Sequence, residues 1–249
     1  MLALITGGTN GIGYCMADEL LKRGYDVFLV SRKEGKTQEL IKRYPDRKVS
    51  FSSYDLIDEK ECYRLLDDTE NLNIDVFINN AGYGDIGKLT DTSLEKEVNM
   101  VKLNDIASLI LVKTFLKRFI IKNSGRILMT CSAASFGPAP YMTVYYSTKS
   151  FCYWLAHGYY RELKDRKSKV TISALCPGPV KTDFEKEANC KFKIGTLEPE
   201  KVGKVAIRGL LKGKLEIVPG FKIKLAHLFS HLVPKKFISK VLNKSAEIG

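Results

Sequence analysis

The sequence is poor in the residues that build metal centres and disulfide frameworks. It has only three histidines and six cysteines, and because no two cysteines form a CxxC pair, we expect no metal site. Several cysteines lie inside apolar runs, where a thiol usually packs as a small core residue. We therefore expect reduced structural thiols at Cys15, Cys62, Cys131, Cys152, Cys176 and Cys190.

Long apolar segments are lacking as well. No run reaches the ~18 apolar residues of a membrane-spanning helix, and the N-terminus has no basic region followed by an apolar leader. We therefore expect a cytoplasmic protein. The composition is ordinary for a globular chain, with 45% hydrophobic and 27% charged residues. Since no composition shift or internal repeat divides it, we expect a single domain over residues 1–249.

Acidic residues are outnumbered, 28 against 40 basic ones, which gives a net charge of +12. This excess can be a lysine-rich surface that keeps the protein soluble. It can also serve an anionic partner such as a cofactor phosphate, a lipid headgroup or a nucleic acid. Because no helix-turn-helix, zinc-finger or RNP-type motif is present, we expect no nucleic acid partner.

Apolar runs that suit buried strands alternate with helical patterns along the chain. The predicted strands are residues 2–6, 26–31, 49–54, 75–79, 126–131, 169–175 and, at an edge, 215–219. This alternation predicts an α/β fold, a single doubly wound (Rossmann) parallel sheet with helices on both faces. Residues 183–199 are polar and predict a loop on the substrate side.

A glycine-rich turn lies between the first strand and the first helical pattern. Glycines there let the backbone approach a dinucleotide pyrophosphate, which binds to the N–H groups at the helix start. A turn without a ligand is the alternative. The predicted cofactor contacts in this turn are Gly7, Thr9, Asn10, Gly11, Ile12 and Gly13.

The second strand ends at Ser31-Arg32 without an acidic residue. An acidic side chain at this position binds the ribose of NAD, whereas a basic one accommodates the 2′-phosphate of NADP. A guanidinium suits a phosphate because its donors form a planar fork. We therefore expect Ser31 and Arg32 to contact the cofactor, with NADP(H) favoured over NAD(H); an ordinary solvated charge is the alternative for Arg32.

The stretch from Gly125 to Lys149 leads from a buried strand through a turn into a helix. Ser132 follows the strand, and Tyr145 and Lys149 lie four residues apart on the helix, so their side chains share one face. A phenol beside an ammonium, facing a serine, suits proton transfer. The stretch therefore predicts a catalytic centre.

Asparagines mark two further positions. The fourth strand ends in Asn79-Asn80-Ala81-Gly82, where small and amide side chains can approach a cofactor or tie adjacent loops. Asn104 lies inside a long helical pattern over residues 93–121. Asparagine is a mediocre helix former, so a capping or solvent-facing role is the plain interpretation there.

The C-terminal extension, residues 221–249, is basic and amphipathic. Leu225, Leu228, Phe229 and Leu232 repeat at helical spacing among lysines at positions 222, 224, 235, 236, 240 and 244. Such a helix can lie on a membrane surface or cover a substrate mouth. It can also pack on the domain with its lysines outward, which is the interpretation we favour.

Together these motifs resemble the short-chain dehydrogenase/reductase family over nearly the whole chain. The matching segments are residues 6–13 (TGxxxGxG), 79–82 (NNAG), 145–149 (YxxxK) and 177–182 (PGxxxT). Ser132 stands thirteen residues before Tyr145, as in the family, and Asn104 falls at the family's helix asparagine. Cys131 departs from the pattern, since many relatives have a second serine there.

The resemblance implies roles for these residues. The catalytic group would be Asn104, Ser132, Tyr145 and Lys149, with Asn104 holding a water that links Lys149 to solvent. Asp55 would contact the adenine and Asn80 the adenosine side, with Ala81 and Gly82 as further cofactor contacts. The nicotinamide end would be held by Val180 and Thr182, and the cofactor would also contact Pro177, Gly178, Tyr145 and Lys149.

The implied activity is an NADP(H)-dependent interconversion of a carbonyl and a secondary alcohol, with Tyr145 as the proton donor and acceptor. The competing class is a sensor or scaffold that binds NADP(H) without turnover; the presence of all four catalytic residues favours an enzyme. The resemblance also allows a homodimer or homotetramer. A lipophilic substrate (steroid-like, acyl or xenobiotic) is predicted from four loop aromatics, Phe136, Tyr141, Phe184 and Phe192.

Overall fold

Seven parallel strands form the centre of the protein in a computed structural model. Together with a separate pair, nine strands occur in the part of the chain that the structure describes: β1 (Leu2–Thr6), β2 (Asp26–Ser31), β3 (Val49–Ser53), β4 (Ile74–Asn79), β5 (Arg126–Thr130), β6 (Thr171–Leu175), β7 (Cys190–Phe192), β8 (Glu216–Ile217) and β9 (Ala246–Ile248). The parallel sheet has the order β3-β2-β1-β4-β5-β6-β8, and β7 pairs with β9 in a separate antiparallel ribbon. The strand order reverses between β1 and β4, which leaves a crevice outside their carboxyl ends.

The structure describes residues 1–184, 188, 190–192, 195–230, 232–242 and 246–248, without the side chains of residues 190–192, 241, 242 and 246–248. The side chain of Phe192, predicted for the substrate pocket, and Lys244 of the C-terminal extension lie outside this description. The five cysteines whose side chains are described are buried free thiols, as expected.

Helices cover both faces of the sheet. The helices are α1 (Gly11–Leu21), α2 (Thr37–Arg43), α3 (Glu59–Asp68), α4 (Leu94–Val101), α5 (Ser108–Lys122), α6 (Thr143–Asp165), α7 (Pro199–Leu211), α8 (Phe221–Ser230) and α9 (Lys235–Leu242). Side chains of successive strand residues point to opposite faces. In β1, Leu4 packs with α3, α5 and α6, whereas Ala3 and Ile5 pack with α1, α2 and α7. The predicted doubly wound parallel sheet is confirmed.

The helical pattern over residues 93–121 is not one regular helix. Between α4 and α5 the chain forms a π-helical turn, Lys102–Ala107, a feature that often accompanies functional sites. Asn104 lies in this turn and is only 1% exposed. The solvent-facing role considered for Asn104 is therefore wrong, because its amide points into the protein.

The C-terminal part differs from the prediction in two ways. The edge strand β8 has only two residues instead of the five predicted. The extension forms two helices, α8 and α9, with Pro234 just before the second, where a residue without an N–H donor is tolerated. In α8, Ile223 and His227 pack on the domain, but Leu225, Leu228 and Phe229 are all exposed, contrary to the favoured interpretation. None of the helices in the described ranges is long and apolar enough to cross a bilayer.

Asp105, next to Asn104 in the π-helical turn, is a half-buried residue. Its Oδ1 atom has no hydrogen-bond partner among the described residues. Burial raises the pKa of Asp105 to about 7, although the Lys149 ammonium acts to lower it. An aspartate in an unfolded chain has a pKa of about 3.9. The folded protein therefore binds this proton more tightly, and the carboxylate progressively destabilises the fold as the pH rises from about 4 through 7.

Replacing Asp105 with Asn should therefore stabilise the protein in a pH-dependent way. After discounting for solvent screening at a partly exposed group, we expect about 1 kcal/mol, or a gain of about 2–4 °C in Tm, at pH 8. The gain should shrink at pH 5. Thermal unfolding across this range measures it, with Asp46→Asn in the exposed loop after α2 as the control. A Tm shift independent of pH, or none, would contradict the assignment.

Candidate active site

A cavity of about 380 Å³ opens at the carboxyl ends of β1, β4 and β5. Every residue predicted to contact a cofactor lines it, from the glycine turn at 7–13 through Ser31, Arg32, Asp55 and 80–82 to the segment 177–182. Ser132, Tyr145 and Lys149 line it as well. Asn104, the fourth predicted catalytic residue, does not. The motif residues therefore lie in the crevice that the strand order leaves at the carboxyl ends of the strands.

The glycine turn has a backbone that other residues would not adopt easily. Gly7 and Gly11 have φ angles of +62° and +53°, in the left-handed region that favours glycine. A Cβ at Gly13 would lie 2.1 Å from the carbonyl oxygen of Gly7. The side chain of Asn10 makes no capping hydrogen bond to α1, so the first-turn N–H groups can bind an anion in the cavity.

Asn80 holds the ends of three strands together. Its Nδ2 donates to the carbonyl oxygens of Thr6 (3.1 Å) and Gly7 (3.0 Å), and its Oδ1 accepts a hydrogen bond from Thr130 Oγ1 at 3.1 Å. The backbone N–H of Asn80 donates to Thr6 Oγ1 at 2.9 Å. The Asn80 side chain thus ties adjacent loops together, which is one of the two roles considered for it. Asn80 also lines the cavity.

Lys149 and Tyr145 lie at the inner end of the cavity, 6% and 9% exposed. The Lys149 ammonium donates to the carbonyl oxygen of Thr130 at 3.0 Å, and its Nζ lies 5.9 Å from the centre of the Tyr145 ring. Its backbone is held by Ser135, whose Oγ donates to the Lys149 carbonyl at 2.7 Å. The buried ammonium therefore has a fixed position behind the phenol.

Ser132 begins the short 3-10 helix that follows β5. Its Oγ accepts a hydrogen bond from the Ala134 N–H at 3.1 Å, which leaves the hydroxyl proton free to be donated into the cavity. The neighbouring Ala133 N–H donates to the Pro177 carbonyl at 2.8 Å. This bond joins the loop after β5 to the loop after β6, so the serine and the 177–182 segment are positioned together.

Asn104 braces the site from behind. Its Nδ2 donates to the Tyr83 carbonyl (2.9 Å) and to Thr148 Oγ1 (3.0 Å), and its Oδ1 accepts from the Tyr83 N–H at 3.2 Å. A Cβ at Gly82 would lie 2.8 Å from Asn104 Oδ1 and 3.3 Å from Lys149 Nζ. Only a glycine at position 82 therefore lets the asparagine and the ammonium come this close.

Arg32 and Asp55 lie at the opposite, outer end of the cavity. Both are exposed. Asp55 Oδ1 accepts a hydrogen bond from the Ile57 N–H at 3.2 Å, which shapes the turn after β3. The guanidinium and the carboxylate thus border the end of the cavity that is farthest along the sheet from Tyr145.

The predicted aromatic pocket is only partly present. Phe184 lines the cavity, with its ring centre 5.3 Å from that of Tyr145. Phe136 instead packs on His227, with ring centres 4.0 Å apart, and lines a second cavity between α6 and α9. Tyr141 does not line the main cavity either. Burial raises the pKa of Tyr146, which does line it, to about 12.

Two residues that matter for the site were not singled out from the sequence. Thr130 accepts the Lys149 ammonium and donates to Asn80, and Tyr83 holds both ends of the Asn104 amide. Tyr83 acts here through its backbone N–H and carbonyl, and Thr130 through its carbonyl and its hydroxyl. The sequence offered only their positions as a signal, since Thr130 ends β5 and Tyr83 follows Gly82. A contact made by a backbone atom does not depend on the residue type, so the sequence does not reveal it.

Comparison with known proteins places these features in a family. The family model described as short chain dehydrogenase matches residues 1–192. A very-long-chain 3-oxoacyl-CoA reductase of Caenorhabditis briggsae is 30% identical over 200 residues, which are 76% of this chain. The matched region is 63% of that relative, so the chain spans less than two thirds of its length.

Solved structures show the same fold. A short-chain dehydrogenase from Sphingobium yanoikuyae in complex with NADPH is 25% identical, covers 93% of each chain and gives a TM-score of 0.83. A short chain dehydrogenase/reductase from Burkholderia phymatum in complex with NAD also gives 0.83, over 99% of this chain and 96% of that one. Its identity of 19% supports the fold alone.

The glycine turn makes a prediction for stability. Gly13→Ala would place a methyl group against the Gly7 carbonyl, and overpacking of this kind costs roughly 1–3 kcal/mol. We expect Tm to fall by about 2–4 °C per kcal/mol. Gly158→Ala, in α6 where a Cβ meets nothing within 4 Å, is the matched control and should gain about 0.5–1 kcal/mol. Tm is measured by calorimetry. If Gly13→Ala and Gly158→Ala change Tm equally, the glycine turn is not tightly packed at position 13.

Proposed function

The chain belongs to the short chain dehydrogenase family, and on that premise we propose that it is an NADP(H)-dependent oxidoreductase that interconverts a carbonyl and a secondary alcohol. The observation that carries the proposal is the placement of Lys149, Tyr145 and Ser132 at the inner end of the cavity that the glycine turn also lines. The residues that line this cavity would hold a nicotinamide dinucleotide, which would supply the hydride. The glycine backbone and the uncapped start of α1 fit its pyrophosphate.

Tyr145 is the proton donor in the reductive direction. An ammonium stabilises a neighbouring phenolate, so the buried charge of Lys149 offsets the charge left on the phenol when its proton passes to the carbonyl oxygen. Because Thr130 fixes the ammonium by a 3.0 Å hydrogen bond, this stabilisation needs no rearrangement during the reaction. Tyr146 lacks the lysine one turn further along α6 and does not take this role.

Ser132 stabilises the reacting carbonyl oxygen. Its Oγ already accepts the Ala134 N–H, which orients the hydroxyl and directs its own proton toward the cavity. A donor aimed at an oxygen that gains negative charge lowers the barrier of the reaction. Asn104 positions Lys149 rather than Ser132, and does so indirectly, since its amide joins Tyr83 to Thr148, the residue before Lys149 on α6.

Arg32 favours NADP(H) over NAD(H). It directly follows β2, lines the cavity and is exposed. No acidic residue occupies this strand end, where a carboxylate would repel a 2′-phosphate and favour the free ribose hydroxyl. The planar guanidinium can bind the phosphate with two parallel hydrogen bonds.

The substrate is a lipophilic carbonyl or alcohol. The walls beside Tyr145 include Met142, Tyr146 and Phe184, and these side chains favour apolar molecules over charged ones. The relative from Caenorhabditis briggsae, named a very-long-chain 3-oxoacyl-CoA reductase, supports an acyl compound among the steroid-like, acyl and xenobiotic classes.

Tyr145→Phe tests the reaction. Removing the proton donor should lower the rate of carbonyl reduction by about 10²–10⁴-fold, while the affinity for NADPH stays near that of the wild type. NADPH absorbance is followed with a panel of ketones and aldehydes, and binding is followed by fluorescence. The control is Tyr160→Phe, a phenol on the same helix but outside the cavity lining, which should keep activity. Wild-type binding without any turnover would instead support a sensor or scaffold, and full turnover by Tyr145→Phe would remove the assigned role.

Arg32→Asp tests the cofactor preference. Losing a charge-assisted hydrogen bond and adding a repulsive carboxylate should raise the KM for NADPH by about 10–100-fold, with little change for NADH. Lys42→Asp on α2, a residue outside the cavity lining, makes the same charge change as a control. If the KM values of both cofactors rise together, Arg32 does not bind the 2′-phosphate.

A further inference from the structure

Helix α8 presents its apolar side chains to solvent. None of its residues is buried, and the exposed side chains include Phe221 (80%), Leu228 (62%) and Phe229 (53%), followed by Leu232 (75%) just after the helix. We call the apolar stripe Phe221, Leu225, Leu228, Phe229 and Leu232. At 100° per residue, the four positions within the helix fall within about 100° of its circumference, so they form one continuous face, and Leu232 follows in the turn after the helix.

The opposite face of α8 fixes the direction of this stripe. Ile223 packs so closely on Gly178 that a Cβ there would lie 2.6 Å from its Cδ1 atom. The His227 ring packs on Phe136, and its Nε2 lies 3.0 Å from the Glu216 carboxylate at the edge of the sheet. Because these side chains hold the inward face, the apolar stripe points away from the domain.

The charges around the stripe are of one sign. From Ile217 to Ala246 the sequence contains no aspartate or glutamate, and it contains lysines at positions 222, 224, 235, 236, 240 and 244. Lys222 and Lys224 lie on the two flanks of the stripe at helical spacing. Lysines on the flanks of an apolar face, with their charged ends at the polar boundary, are typical of helices that lie in the surface of a bilayer.

We propose that α8 and α9 dock this protein on the surface of an anionic lipid bilayer, with the apolar stripe in the headgroup region and the lysines on the lipid phosphates. A second copy of the chain is a poor occupant, since it would bring the same lysines against this face and repel it. An anionic bilayer offers negative phosphates to the lysines and an apolar region to the apolar stripe.

The docking surface also borders the substrate end of the cavity, an aspect that rests on the proposed function. Gly178, the contact of Ile223, lines the cavity, and Ile238 on α9 lies against Gly137, where a Cβ would be 2.9 Å from its Cγ2. A protein docked through α8 therefore holds this end of the cavity close to the lipid. A lipophilic carbonyl could pass between bilayer and cavity with little exposure to water.

Vesicle co-sedimentation of the full chain tests the docking. The wild type should sediment with vesicles of phosphatidylcholine and phosphatidylserine, and much less with phosphatidylcholine alone or in 0.5 M salt. Leu228→Glu/Phe229→Glu should lower the apparent partition coefficient at least tenfold. Lys222→Gln/Lys224→Gln should lower it about fivefold per lysine, and only on anionic vesicles.

The matched control is Leu89→Glu/Ile121→Glu, which makes the same changes at two apolar residues that are 95% and 87% exposed elsewhere. It should bind vesicles like the wild type. The proposal is overturned if the wild type does not sediment with anionic vesicles, if Leu228→Glu/Phe229→Glu binds as well as the control, or if the control loses binding equally. NADPH binding and Tm of each variant show that it is folded.

Turnover separates this proposal from the proposed function. With a long-chain ketone carried in anionic vesicles, Leu228→Glu/Phe229→Glu should show a KM at least tenfold above that of the wild type, and with a water-soluble ketone the two should match. If the wild type turns over neither ketone, the proposed function is contradicted. The sedimentation experiment then still tests whether the protein docks on the bilayer. Equal KM values on the vesicle-borne ketone contradict delivery from the lipid.

Discussion

The hydrogen bond between the Lys149 ammonium and the Thr130 carbonyl connects the two halves of the site. A charge that is buried this deeply needs a polar partner, and the partner stands at the end of β5. The hydroxyl of the same threonine donates to Asn80, which in turn holds the carbonyls of Thr6 and Gly7. One residue therefore links the lysine behind the phenol to the glycine turn, and a shift of either end is transmitted to the other.

The sheet could be predicted because its physical signal is local. Strands buried on both faces appear as short apolar runs, and β1 and β2 have the predicted bounds. The π-helical turn could not be predicted, because one extra residue in a turn leaves the apolar pattern of residues 93–121 nearly unchanged. The apolar face of α8 was predicted to be packed, since a sequence pattern shows that a helix has two faces but not which one meets the domain.

The parts of the site that depend on side chains could be predicted from the sequence, whereas the contacts made by backbone groups could not. Tyr145 and Lys149 share a helix face at a spacing that the sequence displays. Phe136 did not join the cavity because an aromatic in a loop can turn to either side, and here His227, distant in sequence, stacks on it. The brace around Asn104 was also hidden, since its partners at Tyr83 are main-chain groups.

The bonds between Thr6 and Asn80 also constrain the order of folding. They join residues that are 74 positions apart, so a large loop must close before they form, and closing such loops is what slows the folding of parallel sheets. The floor of the cavity cannot exist in a nascent chain that ends before β4. At least the first 80 residues must therefore have been synthesised and have paired around β1 before any dinucleotide could assist folding by binding to the native glycine turn.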